Sequence, residues 1–199
     1  MQKLTIVLSM ILAISALFSS CKKDDDENDS DSGSVLCDGN GGDSYFPLEQ
    51  GNSWEYTGGI AGLDIVISGT EDEDSETYSV IKFSEGSFND FEHLYREDAN
   101  GNIYRYYEND NQEYLHIPAS PTSGQTLATY GNGYSRKVVS SNTSFSTDDC
   151  SYTEVLEISE FSDTDTKYAT FYYVKGLGLV GEPGSLGTSN TELTDVTLN

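Results

Sequence analysis

Residues 91–108 read FEHLYREDANGNIYRYYE, and this segment indicates the architecture more clearly than any other. Two runs rich in aromatic and β-branched residues flank Asn100 and Gly101. An Asn-Gly pair supplies the positive φ angles that a tight turn between antiparallel strands requires. Residues at alternate positions share one face of the first strand: Phe91, His93 and Tyr95. The segment therefore predicts a β-hairpin.

The same pattern continues along the chain. Short runs rich in Tyr, Val, Ile, Phe and Thr alternate with clusters of Gly, Asn and Asp, and no sustained apolar stripe has helical spacing. About ten strands are predicted, at 53–57, 63–69, 78–84, 91–97, 102–108, 113–117, 134–140, 152–161, 167–175 and 192–198. Because no strand–helix alternation appears, we expect an all-β fold, a single antiparallel meander domain. A β-sandwich and a strongly curved open half-barrel both fit this pattern.

The composition indicates a folded chain and argues against a nucleic-acid partner. The chain has 199 residues, with 34 Asp and Glu against 10 Lys and Arg, and its net charge is −24. Aromatic residues make up 12% of the sequence, whereas disordered chains of such charge contain few of them, so the body is expected to fold. Phosphates would be repelled by this charge, and we expect no nucleic-acid partner.

The N-terminus has the features of a secretory signal. Lys3 precedes an apolar run at 4–18, and this run is shorter than the roughly 20 residues that a transmembrane helix requires. We therefore expect residues 1–20 to be a signal peptide, with a permanent membrane-spanning anchor as the weaker reading.

Cys21 follows Ser19 and Ser20, and this arrangement resembles a bacterial lipoprotein cleavage box, although Phe18 stands where leucine is more usual. In such boxes the cysteine is acylated, by palmitate among other chains, and becomes the new N-terminus. The acidic run that follows resembles that of surface-exported lipoproteins of Bacteroidota. The resemblance implies attachment to the outer membrane through lipid on Cys21 and display on the cell surface of a Gram-negative bacterium. Ordinary cleavage, leaving Cys21 as a free thiol, is the alternative.

The lipoprotein hypothesis divides the chain into a signal peptide at 1–20, a lipid-anchored acidic tether at 21–36 and a β domain at 37–199. Within the domain, Cys37 and Cys150 remain as an even pair. An exported protein meets an oxidising compartment, so these two cysteines are candidates for a disulfide. The alternative is two separate thiols that pack as small apolar groups. No CxxC or Cys/His spacing indicates a zinc site.

Three motifs occur in a set order: FPLEQGNSWEY at 46–56, YREDANGNIY at 95–104 and YYVKGLGLV at 172–180. Together they resemble an uncharacterised family of secreted bacterial lipoproteins, with a Gly-Asn-x-Trp-x-Tyr opening and an aromatic strand followed by Gly-x-Gly near the end. The resemblance implies no activity. Trp54 alternates with polar neighbours and is expected to be a core anchor.

Candidate catalytic groups are sparse. His93 and His116 lie in strand-like runs beside apolar residues, which favours structural roles, and no Gly-x-Ser-x-Gly elbow is present. Paired carboxylates could hydrolyse a glycosidic bond, and three residues near aromatic or apolar neighbours are candidates: Glu108, Glu154 and Glu157. The acidic runs at 71–74 and 38–43 lack the spacing of a calcium loop. We therefore predict no enzyme activity and no cofactor, with calcium as the alternative.

A tyrosine cluster is the best ligand candidate: Tyr104, Tyr106 and Tyr107. Tyrosine rings can stack on sugars, although half-buried tyrosines are also ordinary in antiparallel sheets. The leading hypothesis is a non-enzymatic surface lipoprotein with a binding or envelope-structural role, toward a glycan or a protein partner. Two alternatives stay open: a carbohydrate-active hydrolase with a carboxylate pair, and an open-barrel carrier of an apolar ligand. The carrier requires inward-facing side chains that leave a cavity.

Overall fold

A computed structural model describes residues 32–59, 62–86, 90–184 and 189–199. The predicted signal peptide, Cys21 and most of the predicted tether lie outside the described residues. The elements are α1 (Ser32–Asp38), β1 (Ser53–Gly59), β2 (Leu63–Glu73), β3 (Glu76–Glu85), β4 (Phe91–Glu97), β5 (Ile103–Tyr107), β6 (Gln112–Ile117), β7 (Thr126–Thr129), β8 (Ser135–Ser146), β9 (Ser151–Phe161), β10 (Lys167–Val174), β11 (Gly178–Glu182) and β12 (Ser189–Thr197).

The twelve strands form one antiparallel sheet in the order β6-β5-β4-β3-β2-β1-β12-β11-β10-β9-β8-β7. Most strands pair with their neighbours in sequence, while the first strand pairs with the last. The edge strands β6 and β7 lie side by side, so the sheet curls into a nearly closed barrel. The prediction of an all-β antiparallel meander is confirmed. A single curled sheet corresponds to the strongly curved alternative and not to a two-sheet sandwich.

Each of the ten predicted strands corresponds to an observed strand, although several ends differ. Two strands were missed, β7 and β11. The first has only four residues, and the second contains two glycines, so neither carries the alternation that identifies a strand.

The predicted hairpin is formed by β4 and β5, with Leu94 opposite Tyr106. Its turn differs from the expectation in one respect, because Gly101 adopts a positive φ of 85° and Asn100 does not. The carboxylate of Asp98 holds the turn instead, accepting hydrogen bonds from the backbone N–H groups of Asn100 and Asn102, each at 2.9 Å. This is the ordinary way in which an aspartate stabilises a loop.

One end of the barrel is filled by aromatic side chains, and we call it the closed end. Trp54 is fully buried there, as predicted, and its ring packs on Phe46 with centroids 5.3 Å apart. The Trp54 indole N–H donates to the carbonyl of Leu177 at 2.6 Å. Gly178 has a φ of 105°, and a Cβ there would lie 3.0 Å from the indole nitrogen, so glycine is required at this position.

The chain enters the domain at this closed end. Cys37, in α1, and Cys150, in the turn before β9, form a disulfide with their Cα atoms 5.3 Å apart. The Tyr152 hydroxyl donates to the Leu36 carbonyl at 3.0 Å and holds the same helix. Helix α1 includes Ser32 to Leu36, which overlaps the last residues assigned to the tether.

Strand β10 is central, between β9 and β11, as its two-faced pattern predicted. Tyr173 is buried against the barrel interior, whereas Tyr172 on the opposite face stacks on Phe145 with centroids 4.4 Å apart. A second, smaller cluster is buried on the outer face of the sheet: Tyr78, Val80, Leu94 and Tyr106. Inner and outer positions therefore alternate along β4, whose pairings with β3 and β5 have a regular register.

Candidate ligand-binding cavity

The end of the barrel opposite the closed end contains a cavity of about 200 Å³, and we call this the open end. It lies where β3, β9 and β11 end and where β2 and β4 begin, because antiparallel strands alternate in direction. Phe46 and Leu179 form its floor, toward the closed end. The remaining lining residues come from nine strands. They are Leu63, Ile65, Phe83, Glu85, Phe91, His93, Tyr95, Arg105, His116, Arg136, Glu160, Phe171, Tyr173 and Glu182.

One wall of the cavity is apolar. Phe83 and Phe91 stack in parallel, with centroids 5.0 Å apart and an interplanar angle of 2°. Phe91 is 37% exposed although its face of β4 points inward, so the stacked pair is open to a molecule that enters from the solvent. Leu63 stands beside this pair at the start of β2. Apolar surface left accessible inside a concavity is characteristic of small-molecule sites.

Arg136, from β8, forms the opposite polar wall and is only 1% exposed. Its guanidinium donates to the Glu160 carboxylate at 2.8 Å and to the Tyr173 hydroxyl at 3.1 Å. It also donates to the backbone carbonyl of His116 at 3.3 Å. Because His116 belongs to the edge strand β6, this side chain links β8 to the opposite edge of the sheet.

The two histidines are held without charge. Burial, followed by the charge of Arg105, lowers the pKa of His93 to about 4. Burial and then the charge of Arg136 depress the pKa of His116 well below its usual value. Each histidine contacts an arginine.

Arg105, from β5, lies opposite Tyr95 of β4 and shares the inward face of the sheet with it. Its Nη2 lies 2.7 Å from Nε2 of His93, and its guanidinium carbon lies 4.4 Å from the centroid of the Tyr107 ring. The Arg105 Nε is buried and has no hydrogen-bond partner among the described residues. Unpaired buried donors are rare in folded proteins and call for an explanation.

Glu182 completes the site at the end of β11. Burial raises its pKa to about 7, with further contributions in the same direction from Glu160 and Glu85 and an opposing one from Arg136. This carboxyl group is therefore largely neutral below neutral pH. Neither Glu160 nor Glu182 was singled out as a site residue from the sequence.

The predicted tyrosine cluster does not form one surface. Tyr104 and Tyr106 lie on the outer face of β5, where Tyr106 is only 5% exposed and donates to Asn111 at 2.6 Å. Tyr107 lies on the inner face, with its ring close to those of Tyr114 and Tyr130. The alternation of side chains along a strand separates neighbours to opposite faces. A single stacking platform made of all three is therefore not available.

Other sequence candidates lie away from the cavity. The three carboxylates considered for hydrolysis are not among its lining residues: Glu108, Glu154 and Glu157. Within the described residues, no group of three or more His, Cys, Asp or Glu is arranged to hold a metal ion. The part of the chain that the structure describes contains no helix with the length and apolar character needed to cross a membrane.

The sequence contains a signal for the inward position of Arg105. Ile103, Arg105 and Tyr107 recur at alternate positions, so a buried Ile103 implies that Arg105 also points inward. Pairing with the predicted face of Phe91, His93 and Tyr95 then places the arginine among aromatic rings. Arg136 alternates with Val138 in the same way, but its partners come from β6, β9 and β10, and no local pattern identifies them.

No protein-family model matches this chain, and no curated protein matches it. Among solved structures, it is similar to a "putative exported protein with YmcC-like fold" from Bacteroides fragilis, with 13% sequence identity and a TM-score of 0.48. That alignment covers 77% of this chain and 98% of the other. A "putative lipoprotein" from Parabacteroides distasonis is also similar, with 12% identity, a TM-score of 0.44 and coverage of 77% and 98%. Neither name states an activity.

Proposed function

We propose that this protein is a non-enzymatic binding protein that holds a small ligand with an apolar body in the open end of its barrel. The observation that carries the proposal is the unfilled interior at this end. Aromatic side chains fill the closed end, whereas the stacked pair of Phe83 and Phe91 borders a cavity of about 200 Å³. Of the alternatives that the sequence left open, the carrier of an apolar ligand required such a cavity.

The size of the cavity limits the ligand. An apolar cavity of about 150 Å³ holds a benzene molecule, so the volume of about 200 Å³ suits one ring with a short chain. Such a ligand has on the order of ten heavy atoms, and the usual gain of about 0.3–1.5 kcal/mol per atom is compatible with millimolar or tighter binding. The ring would pack on Phe83 and Phe91, and its polar end would face the arginines.

We further propose that the protein is attached to the outer membrane through lipid on Cys21 and faces the cell surface. Helix α1 and the Cys37–Cys150 disulfide fix the point at which the chain enters the domain, at the closed end. The cavity opens at the opposite end. A tether that joins at the closed end leaves the open end free to receive a ligand from the surroundings.

Titration calorimetry tests the proposed function with two probes, 3-phenylpropan-1-ol and 3-phenylpropanoate. The chain is produced with Cys21→Ser, which removes the predicted acylation site. Leu63 lines the open end, so Leu63→Trp should fill the cavity and weaken binding by about tenfold or more. Val66 lies on the outer face of the same strand and is 39% exposed, so Val66→Trp is a matched control that should bind as the parent does.

Two results would contradict the proposal. In the first, the parent protein binds neither probe, which would favour an envelope-structural role or a protein partner. In the second, Leu63→Trp and Val66→Trp bind both probes equally well, which would place the ligand outside the barrel. Melting curves of both variants establish that the fold is retained.

A further inference from the structure

The cavity is lined by two arginines and by three glutamates, Glu85, Glu160 and Glu182, yet one of the arginines has no acidic partner in the described part of the chain. The sequence contains three arginines, and two of them line the cavity of a protein with a net charge of −24. Arg96, on the outer face, pairs with Glu113, with Nη2 at 2.7 Å from the carboxylate. Arg136 pairs with Glu160. Arg105 makes no ion pair with any acidic side chain in the described part of the chain, although the protein has a large excess of carboxylates.

The surroundings of Arg105 hold its guanidinium in place without neutralising it. Nε2 of His93 lies 2.7 Å from Nη2 of Arg105, and the guanidinium carbon lies over the Tyr107 ring. A neutral His93 can accept this hydrogen bond but contributes no negative charge. The Nε–H of Arg105 is left free among the described residues. An unpaired charge that is partly removed from water is costly, and an anion that binds there would reduce the cost.

From this geometry we infer that Arg105 receives the carboxylate of the ligand, whose apolar body packs on Phe83 and Phe91. The inference rests on the proposed function and specifies the class of ligand as a small carboxylate with an apolar body. The planar guanidinium presents its donors in a fork that matches the two oxygens of a carboxylate. The carboxylate and the apolar body of the ligand are close together, because Arg105 lines the same cavity as Phe83 and Phe91.

The net charge of the protein makes this inference easy to test. A charge of −24 repels anions at long range, so a protein without a specific cationic site would bind a neutral probe better than the corresponding carboxylate. A preference for the carboxylate must therefore come from a local group. The probes 3-phenylpropanoate and 3-phenylpropan-1-ol share the same ring and chain and differ in this end group.

The experiment measures the affinity of both probes for the parent protein, for Arg105→Gln and for the control Arg96→Gln. Both variants lose one positive charge, but Arg96 lies on the outer face. We expect the parent and the control to prefer the carboxylate by about tenfold or more. In Arg105→Gln the carboxylate should lose about tenfold in affinity, while the affinity for the alcohol changes by less than about threefold.

The possible results separate the two proposals. If the parent protein binds neither probe, the proposed function is contradicted. If it binds the alcohol as tightly as the carboxylate, or if Arg105→Gln keeps the carboxylate preference, the inference about Arg105 is overturned and the cavity remains a binding site. Even if Arg105→Gln fails to fold, equal binding of the two probes by the parent protein overturns the inference.

Discussion

Replacing Arg136 with methionine should strongly destabilise the fold, because this side chain connects β8 with β6, and these two strands are not paired in the sheet. The sheet ends at β6 on one side and at β7, paired only to β8, on the other. Arg136 reaches from β8 to the carbonyl of His116 in β6, at 3.3 Å. It also satisfies Glu160 and the hydroxyl of Tyr173. Methionine fills much of the same volume but donates no hydrogen bond.

The magnitude follows from the groups left without a partner. Breaking a buried ion pair by removing one member costs about 3–5 kcal/mol. The Glu160 side chain is 22% exposed and keeps a hydrogen bond from the Tyr168 hydroxyl. Water and this hydroxyl therefore offset part of the destabilisation. We therefore expect a loss of about 3 kcal/mol, near the lower limit of that range. Removing the unpaired charge as well, in Arg136→Met/Glu160→Leu, should restore about 1–2 kcal/mol of it.

Urea unfolding followed by circular dichroism measures these free energies. Lys137→Met is the matched control, since Lys137 is the next residue on β8 and its partner Asp165 is 75% exposed. An exposed pair contributes about 0–1 kcal/mol, so this control should unfold almost as the parent does. The reasoning would be refuted if Arg136→Met cost no more than Lys137→Met, or if adding Glu160→Leu made the protein still less stable.

The other predictions concern the disulfide and the acid in the cavity. The disulfide joins residues separated by 113 positions, so Cys37→Ala/Cys150→Ala should lower the free energy of unfolding by about 3–5 kcal/mol, measured in urea against the oxidised parent. Mass spectrometry under non-reducing conditions should find no free thiol at either position. The folded-state pKa of Glu182 is raised to about 7 from 4.5, so the folded protein binds the proton more tightly than the unfolded chain. Glu182 thus stabilises the fold most at low pH, and as pH rises from 4.5 through 7 the protein should lose up to about 3 kcal/mol. Glu182→Gln should remove this part of the pH dependence, and an unchanged profile would mean that the carboxyl group is well hydrated.

Ten of the twelve strands could be predicted because each of those ten has a local signal. Alternating side chains identified the pair around Gly101, and aromatic residues on both faces identified the central strand β10. The pairing of β1 with β12 has no such signal, since it joins the two ends of the domain. Local alternation also explains why β7, with only four residues, was missed.

The candidate site was less accessible to sequence reasoning. The tyrosines of β5 attracted attention as a cluster, yet alternation places Tyr106 and Tyr107 on opposite faces. The same rule places Arg105 inside, beside Ile103, but its lack of a partner depends on where every acidic side chain lies. Whether inward-facing side chains fill a barrel depends on their volumes and on its curvature, and neither quantity can be read from local patterns.

Two-dimensional NMR of the protein during a titration with 3-phenylpropanoate provides the most decisive single observation. The side-chain Nε–H of Arg105 reports on the open end, and the indole N–H of Trp54 reports on the closed end of the same molecule. We predict that the Arg105 signal shifts progressively and saturates, while the Trp54 signal stays in place. Saturating shifts confined to Trp54 and its neighbours, or no shift of the Arg105 signal at any concentration, would contradict a carboxylate site in the open end.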